Sequence, residues 1–356
     1  MRFWFGICLA FLIAFPSGAQ APPDAFDRFA EKEMTQKQIP GLALAILRNG
    51  RPIKVGAYGF ADVELNARVK PDTLFQSASV GKQFTAALVQ LLAGDGKLSL
   101  DDKLSDHLSG GPAVWDKITV RHLLTHTSGL GGYPEDFNFR RDRSEAELVQ
   151  LIARQPLAFE PGTDWKYSNL GYVLLGAIAR SVTGRFYGEL LDERIFVPAG
   201  MKSARIMSEA DIIPGRASGY RLEDGKLRNQ EWVAPTLNTT ADGALYVSIL
   251  DLVRWEQALS NRSILSPAQL AEAWRPFGLA KGKPTYGFGW ALSEDGGART
   301  VEHGGQWQGF SSQITRYPDR GLTVIMLANL ARLPTWQMAY DLARIADKTL
   351  SDPDKP

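Results

Sequence analysis

Ser79 and Lys82 stand three positions apart in "QSASVGKQFTAAL" (Gln76 to Leu88), where an apolar run begins. At helical spacing their side chains share one face on adjacent turns. A serine hydroxyl is a poor nucleophile until a nearby base removes its proton. A lysine held among apolar groups, or beside another cation, has a depressed pKa and can be that base or support a second one. A helix start also favours the negative charge that develops on an attacked carbonyl. Two other readings compete. A phosphate loop needs Gly where Gln76 stands and Ser or Thr where Gln83 stands, so it is rejected. In the structural reading, Ser77 or Ser79 caps the helix; this explains a serine but not Lys82. S-x-x-K alone is a weak signal and needs company.

Company is present. "PGTDWKYSNLGYVLLGAIA" carries Tyr167-Ser168-Asn169, a Y-x-N, and "VEHGGQWQGF" carries His303-Gly304-Gly305 where a strand is expected. Each has a plainer alternative: Tyr167 as a core tyrosine, the glycine pair as a turn. His122 and His126, in "ITVRHLLTHTSGL", have a metal-like i, i+4 spacing, but no third ligand or H-E-x-x-H glutamate accompanies them. Arg140, Arg141 and Arg143 sit in a polar loop, solvated by default, with recognition of a substrate carboxylate as the alternative. Trp307 walls the pocket or packs in the core. G-x-S-x-G fails at Gly309-Phe310-Ser311, because Gln313 replaces the last glycine, and S-D-N is absent.

The elements that must position these residues are visible in the pattern. Two β-rich runs flank Asn49-Gly50, a hairpin signal. From Val80 the period turns helical through Phe84, Ala87, Leu88 and Leu91, with Gly94 and Gly96 as terminators. "EAELVQLIARQ", "LGYVLLGAIARSV" and "ILDLVRWEQALS" read as further helices. Strand character returns in "YGFGWALSE", "RTVEHGGQ" and "FSSQITRYPDRGLTVIMLANL", with a turn at Pro318–Gly321, before a last helix, "TWQMAYDLARIADKTL". Strands at both ends predict one antiparallel sheet built from the two termini, a mixed α/β fold of the α+β type. The sheet part covers about 24–80 and 280–350, and a mainly helical insert covers about 84–275.

The first 21 residues read as a secretory signal: Arg2, an apolar run from Phe3 to Phe15, and small residues at Ala19 and Ala21. The run is too short to span a bilayer. An exported mature chain of 22–356 with no integral membrane segment is expected, periplasmic or secreted. Cys8, the only cysteine, leaves with the signal, taking thiol and disulfide chemistry with it. Loss of Arg2 leaves 39 basic and 39 acidic residues. A neutral chain without a basic block argues against a nucleic-acid partner.

In order and spacing, "SASVGKQFTAAL", "LLTHTSGL", "PGTDWKYSNLGYVLLG", "YGFGW" and "HGGQWQGFSS" resemble the serine β-lactamase and penicillin-binding-protein superfamily, in its class C-like branch of esterases, D-stereospecific peptidases and β-lactamases. The likeness runs from about Asp24 to Asn329. It implies a serine hydrolase that needs no cofactor or metal and acts on a small ester, amide, peptide or β-lactam. It makes Ser79 the acylated nucleophile and Lys82 the residue assisting its deprotonation. Tyr167 is the general base of the family pattern and needs the field of Lys82 to act near neutrality, so which of Tyr167 and Lys82 takes the proton stays open; Asn169 becomes a partner of Lys82 and substrate. Gly304 belongs to the third box, Gly305 lets a backbone edge approach the acyl group, and the N–H groups of Gln306 and Ser79 form the oxyanion hole. His303 departs from the lysine usual in β-lactamases, which weakens an antibiotic-hydrolysing reading. A class C-like β-lactamase, or a non-catalytic cell-wall binding protein keeping the fold, remain the alternatives.

Overall fold

The structure, a computed structural model, describes residues 22–206, 210–277 and 285–350. The expected leader lies outside them. Asn49 and Gly50 both take positive φ, 51° and 72°, as a tight two-residue hairpin requires. They join β1 (Gly41–Arg48) to β2 (Arg51–Asp62), with Arg48 opposite Arg51. The remaining strands of this sheet are β3 (Ala67–Arg68), β4 (Thr285–Tyr286), β5 (Ala291–Asp295), β6 (Ala298–Trp307), β7 (Phe310–Tyr317) and β8 (Leu322–Ala328). They assemble in the order β3-β2-β1-β8-β7-β6-β5-β4, antiparallel throughout. The two ends of the chain meet where β1 pairs with β8, from Leu42–Ala328 to Arg48–Leu322. The expected mixed α/β architecture, with a sheet drawn from both termini, is the one observed.

Seven of the eight β1 residues are buried. A strand covered on both faces loses its polar alternation and reads as a continuous apolar run. Leu42, Leu44 and Ile46 join Val324 and Met326 under two terminal helices, α1 (Ala25–Lys37) and α6 (Thr335–Ala346). Ala43, Ala45 and Leu47 join Ile325 and Leu327 in the larger core facing the helical part.

In that part, α2 (Lys82–Gly94), α3 (Val120–Thr125), α4 (Asn169–Thr183) and α5 (Ile249–Ser260) bear on the site. The long insert also contains a hairpin the pattern did not suggest: Tyr220–Glu223 pairs with Lys226–Asn229. Its turn residues, Asp224 and Gly225, have φ of 50° and 72°, so a second Asp-Gly signal was there to be read.

Helix α2 is almost wholly buried, from Lys82 to Gln90 and at Leu92. Phe84 anchors it, its ring 4.6 Å from that of Trp255 on α5 and 5.8 Å from that of Phe196. The indole N–H of Trp255 donates to Gln83 Oε1 at 3.0 Å. Phe84→Ala should cost about 3–5 kcal/mol of unfolding free energy in urea titrations. A loss below about 1 kcal/mol would show that this aromatic contact does not hold the helix.

Candidate active site

Ser79 does not cap a helix. It sits in a single 3₁₀ turn, Ala78–Gly81, that leads into α2, and neither Ser77 nor Ser79 satisfies a helix N–H with its side chain. Ser77 Oγ turns instead to the Ala78 and Gly243 carbonyls. The capping alternative is therefore corrected, and the α-helix begins at Lys82 and not at Val80. Ala78, just before Ser79, has φ of 48°, a left-handed conformation costly for a residue with a Cβ. Such strain persists where surrounding structure dictates it. Ser79 remains partly exposed, while its neighbours Ala78, Val80 and Gly81 are buried.

The Lys82 side chain is fully buried. Its Nζ donates to Ser79 Oγ at 3.1 Å, to Asn169 Oδ1 at 2.7 Å, and to the backbone carbonyl of Asp242. It also lies 4.9 Å from the ring centre of Tyr167 and 5.4 Å from that of Tyr172. Burial lowers its pKa to about 8, against the charge of Asp242, which raises it. Two of the three partners, a side-chain amide oxygen and a peptide carbonyl, can only accept. A neutral amine has two N–H groups and one lone pair. With both N–H groups used there, the lone pair faces the Ser79 hydroxyl.

Tyr167 and Asn169 flank Ser168, whose Oγ accepts from the Gly171 N–H at 3.1 Å and donates to Gly131 O at 2.7 Å. This cap fixes the first turn of α4 and with it both side chains. The Tyr167 hydroxyl is buried beside Ser79 without a hydrogen bond of good geometry among the described residues. Burial pushes its pKa up, the Ser79 contact opposes this, and the charge of Asp242 adds to it. The phenol therefore keeps its proton more tightly than usual, which favours Lys82 of the two candidate proton acceptors that the sequence left open.

The third group comes from β6. Strand β5 pairs with it only over Ala298–Glu302, so His303–Trp307 run on without a strand partner on that side among the described residues. There β6 meets the turn carrying Ser79. A Cβ on Gly305 would fall 2.5 Å from Ser77 O and 2.3 Å from Ser312 Oγ, so only glycine permits this approach. Gln306 ties its side chain away, donating to Leu333 O at 2.9 Å and accepting from Ser311 Oγ and Arg332 N. Gln306 and Ser79 border one narrow cleft, together with Tyr133, Asn169, Asp242 and Trp307. On the other side of Gln306, Tyr167, His303, Gly304, Gly305, Trp165 and Trp336 line a second hollow.

His303 is buried and its pKa falls to about 3, through burial and then the nearby Lys82 charge, against the Gly304 bond. Nδ1 lies 2.7 Å from Gly304 O, which can only accept, so the proton sits on Nδ1. Nε2 then accepts from the Tyr286 hydroxyl at 2.8 Å. The ring is neutral with both nitrogens engaged.

His122 and His126 do not converge. Helix α3 stops at Thr125 and His126 turns left-handed, φ 62°, which destroys the i, i+4 alignment. His122 Nδ1 accepts from Thr119 N–H, and His126 Nδ1 from Ser168 N–H at 3.1 Å. His126 packs beneath the site, 4.3 Å from the Tyr167 ring and 4.5 Å from that of Tyr286. Arg140 borders a groove that continues past Trp307, whereas Arg143 binds the Asn138 and Arg141 carbonyls and lies over Phe137. Trp307 does wall the cleft, with its indole N–H on Asn238 Oδ1 at 2.7 Å. The sequence reading missed the roles of Asp242, Tyr133, Tyr286 and His126. "YGFGW" and "LLTHTSGL" contain Tyr286 and His126, but nothing local marks Asp242.

An antiparallel sheet with helices on both faces, and a serine–lysine pair at the edge between sheet and helical part, defines the penicillin-binding-protein class of fold. A penicillin-binding protein homologue from Pyrococcus abyssi, described as octameric, superposes with a TM-score of 0.82 at 26% identity, covering 92% of this chain and 78% of that one. The chain belongs to the β-lactamase family, a family of serine hydrolases, which it matches over residues 26–348. Penicillin-binding protein 4* of Bacillus subtilis is 33% identical over 324 residues, 85% of this chain and 70% of that protein. A D-aminopeptidase of Brucella canis is 30% identical over 299 residues. That match takes in 82% of this chain and only 56% of the aminopeptidase, so the chain spans little more than half its length.

The buried imidazoles make a stability test. His303 and His126 both have pKa values lowered by burial, so between about 6.5 and 4 the unfolded chain binds more protons than the folded one. Their contribution to stability is complete above about 6.5 and is lost as pH falls through that window; the depressed carboxylates lose theirs lower, below about 4. Unfolding free energy should fall by several kcal/mol from pH 6.5 to 4, and His303→Gln should flatten the decline. A wild-type curve flat across that interval would contradict the neutral, buried assignment.

Proposed function

We propose that this chain is an exported serine hydrolase, one hydrolase domain after a cleaved leader, that cleaves an ester or amide through an acyl-enzyme on Ser79. The carrying observation is the contact between Lys82 Nζ and Ser79 Oγ at 3.1 Å, made by an amine whose other partners only accept. The neutral amine takes the Ser79 proton as Oγ attacks the carbonyl carbon. The backbone N–H groups of Ser79 and Gln306 receive the oxyanion. The tetrahedral intermediate collapses when the leaving group departs with a proton from Tyr167, whose raised pKa suits it to donate; Lys82 restores that proton. Water then attacks the acyl-enzyme, giving its proton to Lys82; the acid departs as Ser79 Oγ takes that proton back from Lys82, which regenerates the hydroxyl and the neutral amine. Asn169 orients Lys82 and holds the acyl side of the substrate.

The uncharged His303 supports ester or amide cleavage over β-lactam hydrolysis, because it offers no positive charge to a substrate carboxylate. The leader pattern at residues 1–21 is what supports export.

Intact mass after exposure to nitrocefin, a p-nitrophenyl ester and a D-Ala-containing peptide tests the reading. An adduct on Ser79 with the ester or the peptide is expected, absent in Ser79→Ala. Lys82→Ala should lower kcat by about a hundredfold or more. The wild-type kcat/KM should rise with pH through a midpoint near 8, where Lys82 gives up its proton. A wild type that takes no label from a fluorophosphonate probe would instead favour the non-catalytic binding protein.

A further inference from the structure

The second hollow, of about 360 Å³, is bordered by Tyr167, the residue that hands a proton to the leaving group. Ser79 and Asn169 border the narrow cleft instead, and Gln306 stands between the two spaces. Asn169 holds the acyl side, so the group that departs with the Tyr167 proton leaves into the hollow. The wall of the hollow therefore selects it.

That wall carries no arginine or lysine among the described residues. Its one acidic residue, Glu302, is buried and already fully hydrogen-bonded. Oε1 accepts from Ser293 Oγ at 2.6 Å and from the Tyr340 hydroxyl at 2.7 Å. Oε2 accepts from Thr315 Oγ1 at 2.9 Å and from Gln313 Nε2 at 3.2 Å. A carboxylate has about four acceptor sites, so Glu302 keeps none for a cation and still repels a second anion. The other polar side chains are engaged too. The neutral His303 holds the Tyr286 hydroxyl and Gly304 O, and Thr285 Oγ1 donates to Leu292 O. The Gln306 amide is tied to Leu333, Ser311 and Arg332, and Thr335 Oγ1 donates to Ser312 O. The Tyr167 hydroxyl and the Trp165 indole N–H, both uncharged donors, are left without an acceptor among the described residues.

The surface the hollow presents is mainly apolar. Trp336, in the first turn of α6, stands at it with 55% of its surface in water. An apolar group that covers this indole is stabilised by removing both surfaces from solvent.

We propose that the hollow is the leaving-group site and takes an uncharged, apolar leaving group, an aryl or alkyl alcohol or amine, with Trp336 as a specificity residue. The proposal rests on the hydrolase reading above and adds the departing half of the substrate, which that reading leaves open. A leaving group with a free carboxylate would lose its hydration beside Glu302 with no cation to replace it, and an ammonium would find no open acceptor.

The test compares three acetate esters at pH 7, whose phenols have similar basicity: 4-ethylphenyl, 4-(carboxymethyl)phenyl and 4-(2-aminoethyl)phenyl acetate. The wild type should favour the ethyl ester over each charged one by about tenfold or more in kcat/KM, the usual cost of an unanswered polar group. Trp336→Arg places a cation at an exposed position that the fold does not depend on. It should bring the carboxymethyl ester to within about threefold of the ethyl ester, a gain that misfolding cannot produce. A Trp336→Arg enzyme with the wild-type ratio would overturn the proposal, because the leaving group would then lie elsewhere. A wild type that takes a fluorophosphonate label on Ser79 yet prefers a charged ester, or treats all three within about threefold, would overturn it and leave the hydrolase reading standing. So would a labelled enzyme that turns over none of the three, since the hollow would then be closed to an aryl group. A wild type that takes no label on Ser79 would overturn both.

Discussion

A primary amine held out of water is the constraint around which this protein is organised. Removing an ammonium from solvent is expensive unless every donor finds an acceptor. Lys82 finds three, from a turn, a helix start and a loop, at Ser79, Asn169 and Asp242. Because two of them never donate, the only group that can exchange roles with the amine is the Ser79 hydroxyl. The arrangement stabilises the protonated lysine through hydrogen bonds and prepares the neutral lysine through orientation. Burial keeps the two states close in energy near neutral pH, which is what a base must do to work there.

Positions 82, 169 and 242 are far apart in the chain, so nothing local can secure this geometry. The sheet and its helical cover do so. Helix α2 is fixed by burial along nearly its whole length, and α4 by the Ser168 cap and the His126 ring beneath it. The β6 edge is drawn in by Gly305 and by the Ser312 hydroxyl, which donates to Ser77 O at 2.5 Å. The strained Ala78 backbone is tolerated because these neighbours leave it no alternative. The site thus lies at a seam, where a strand outlasts its neighbour and a buried helix begins.

What could be read from the sequence follows from this. The Asn49-Gly50 hairpin, the long helices and the strand at His303 are local patterns, and local patterns carry their own signals. A single sheet drawn from both termini was legible because apolar strands at both ends of a chain must bury their faces together, but which strands meet, β1 with β8, was not. Ser79, Lys82, Tyr167, Asn169 and His303 to Gln306 were legible because their boxes have fixed spacing and order. The mode of Ser79 was not: a capping serine and one on a 3₁₀ turn share the same residues, and only the neighbours at Gly243 and Gly305 select between them. Nor was the direction of the Tyr167 shift, since burial depends on what the rest of the chain packs around the phenol. Asp242 was invisible because it acts through a backbone carbonyl that any residue possesses and a carboxylate aimed by distant contacts.

The distribution of charge around the serine separates this site from one built for anions. A lysine at position 303 would put a fixed positive charge on the β6 edge and repel the Lys82 ammonium, lowering its pKa further. The chain instead has an imidazole that burial and Lys82 together keep neutral, with its proton committed to Gly304 O. Lys82 then owes its lowered pKa to burial alone, moderated by Asp242. The Asp242 carboxylate therefore makes the opposite side of the serine the charged one, and its sign is negative. Asp242 thus opposes part of the lowering that burial imposes on Lys82, so the loop that holds the amine by its carbonyl also sets how readily that amine releases its proton.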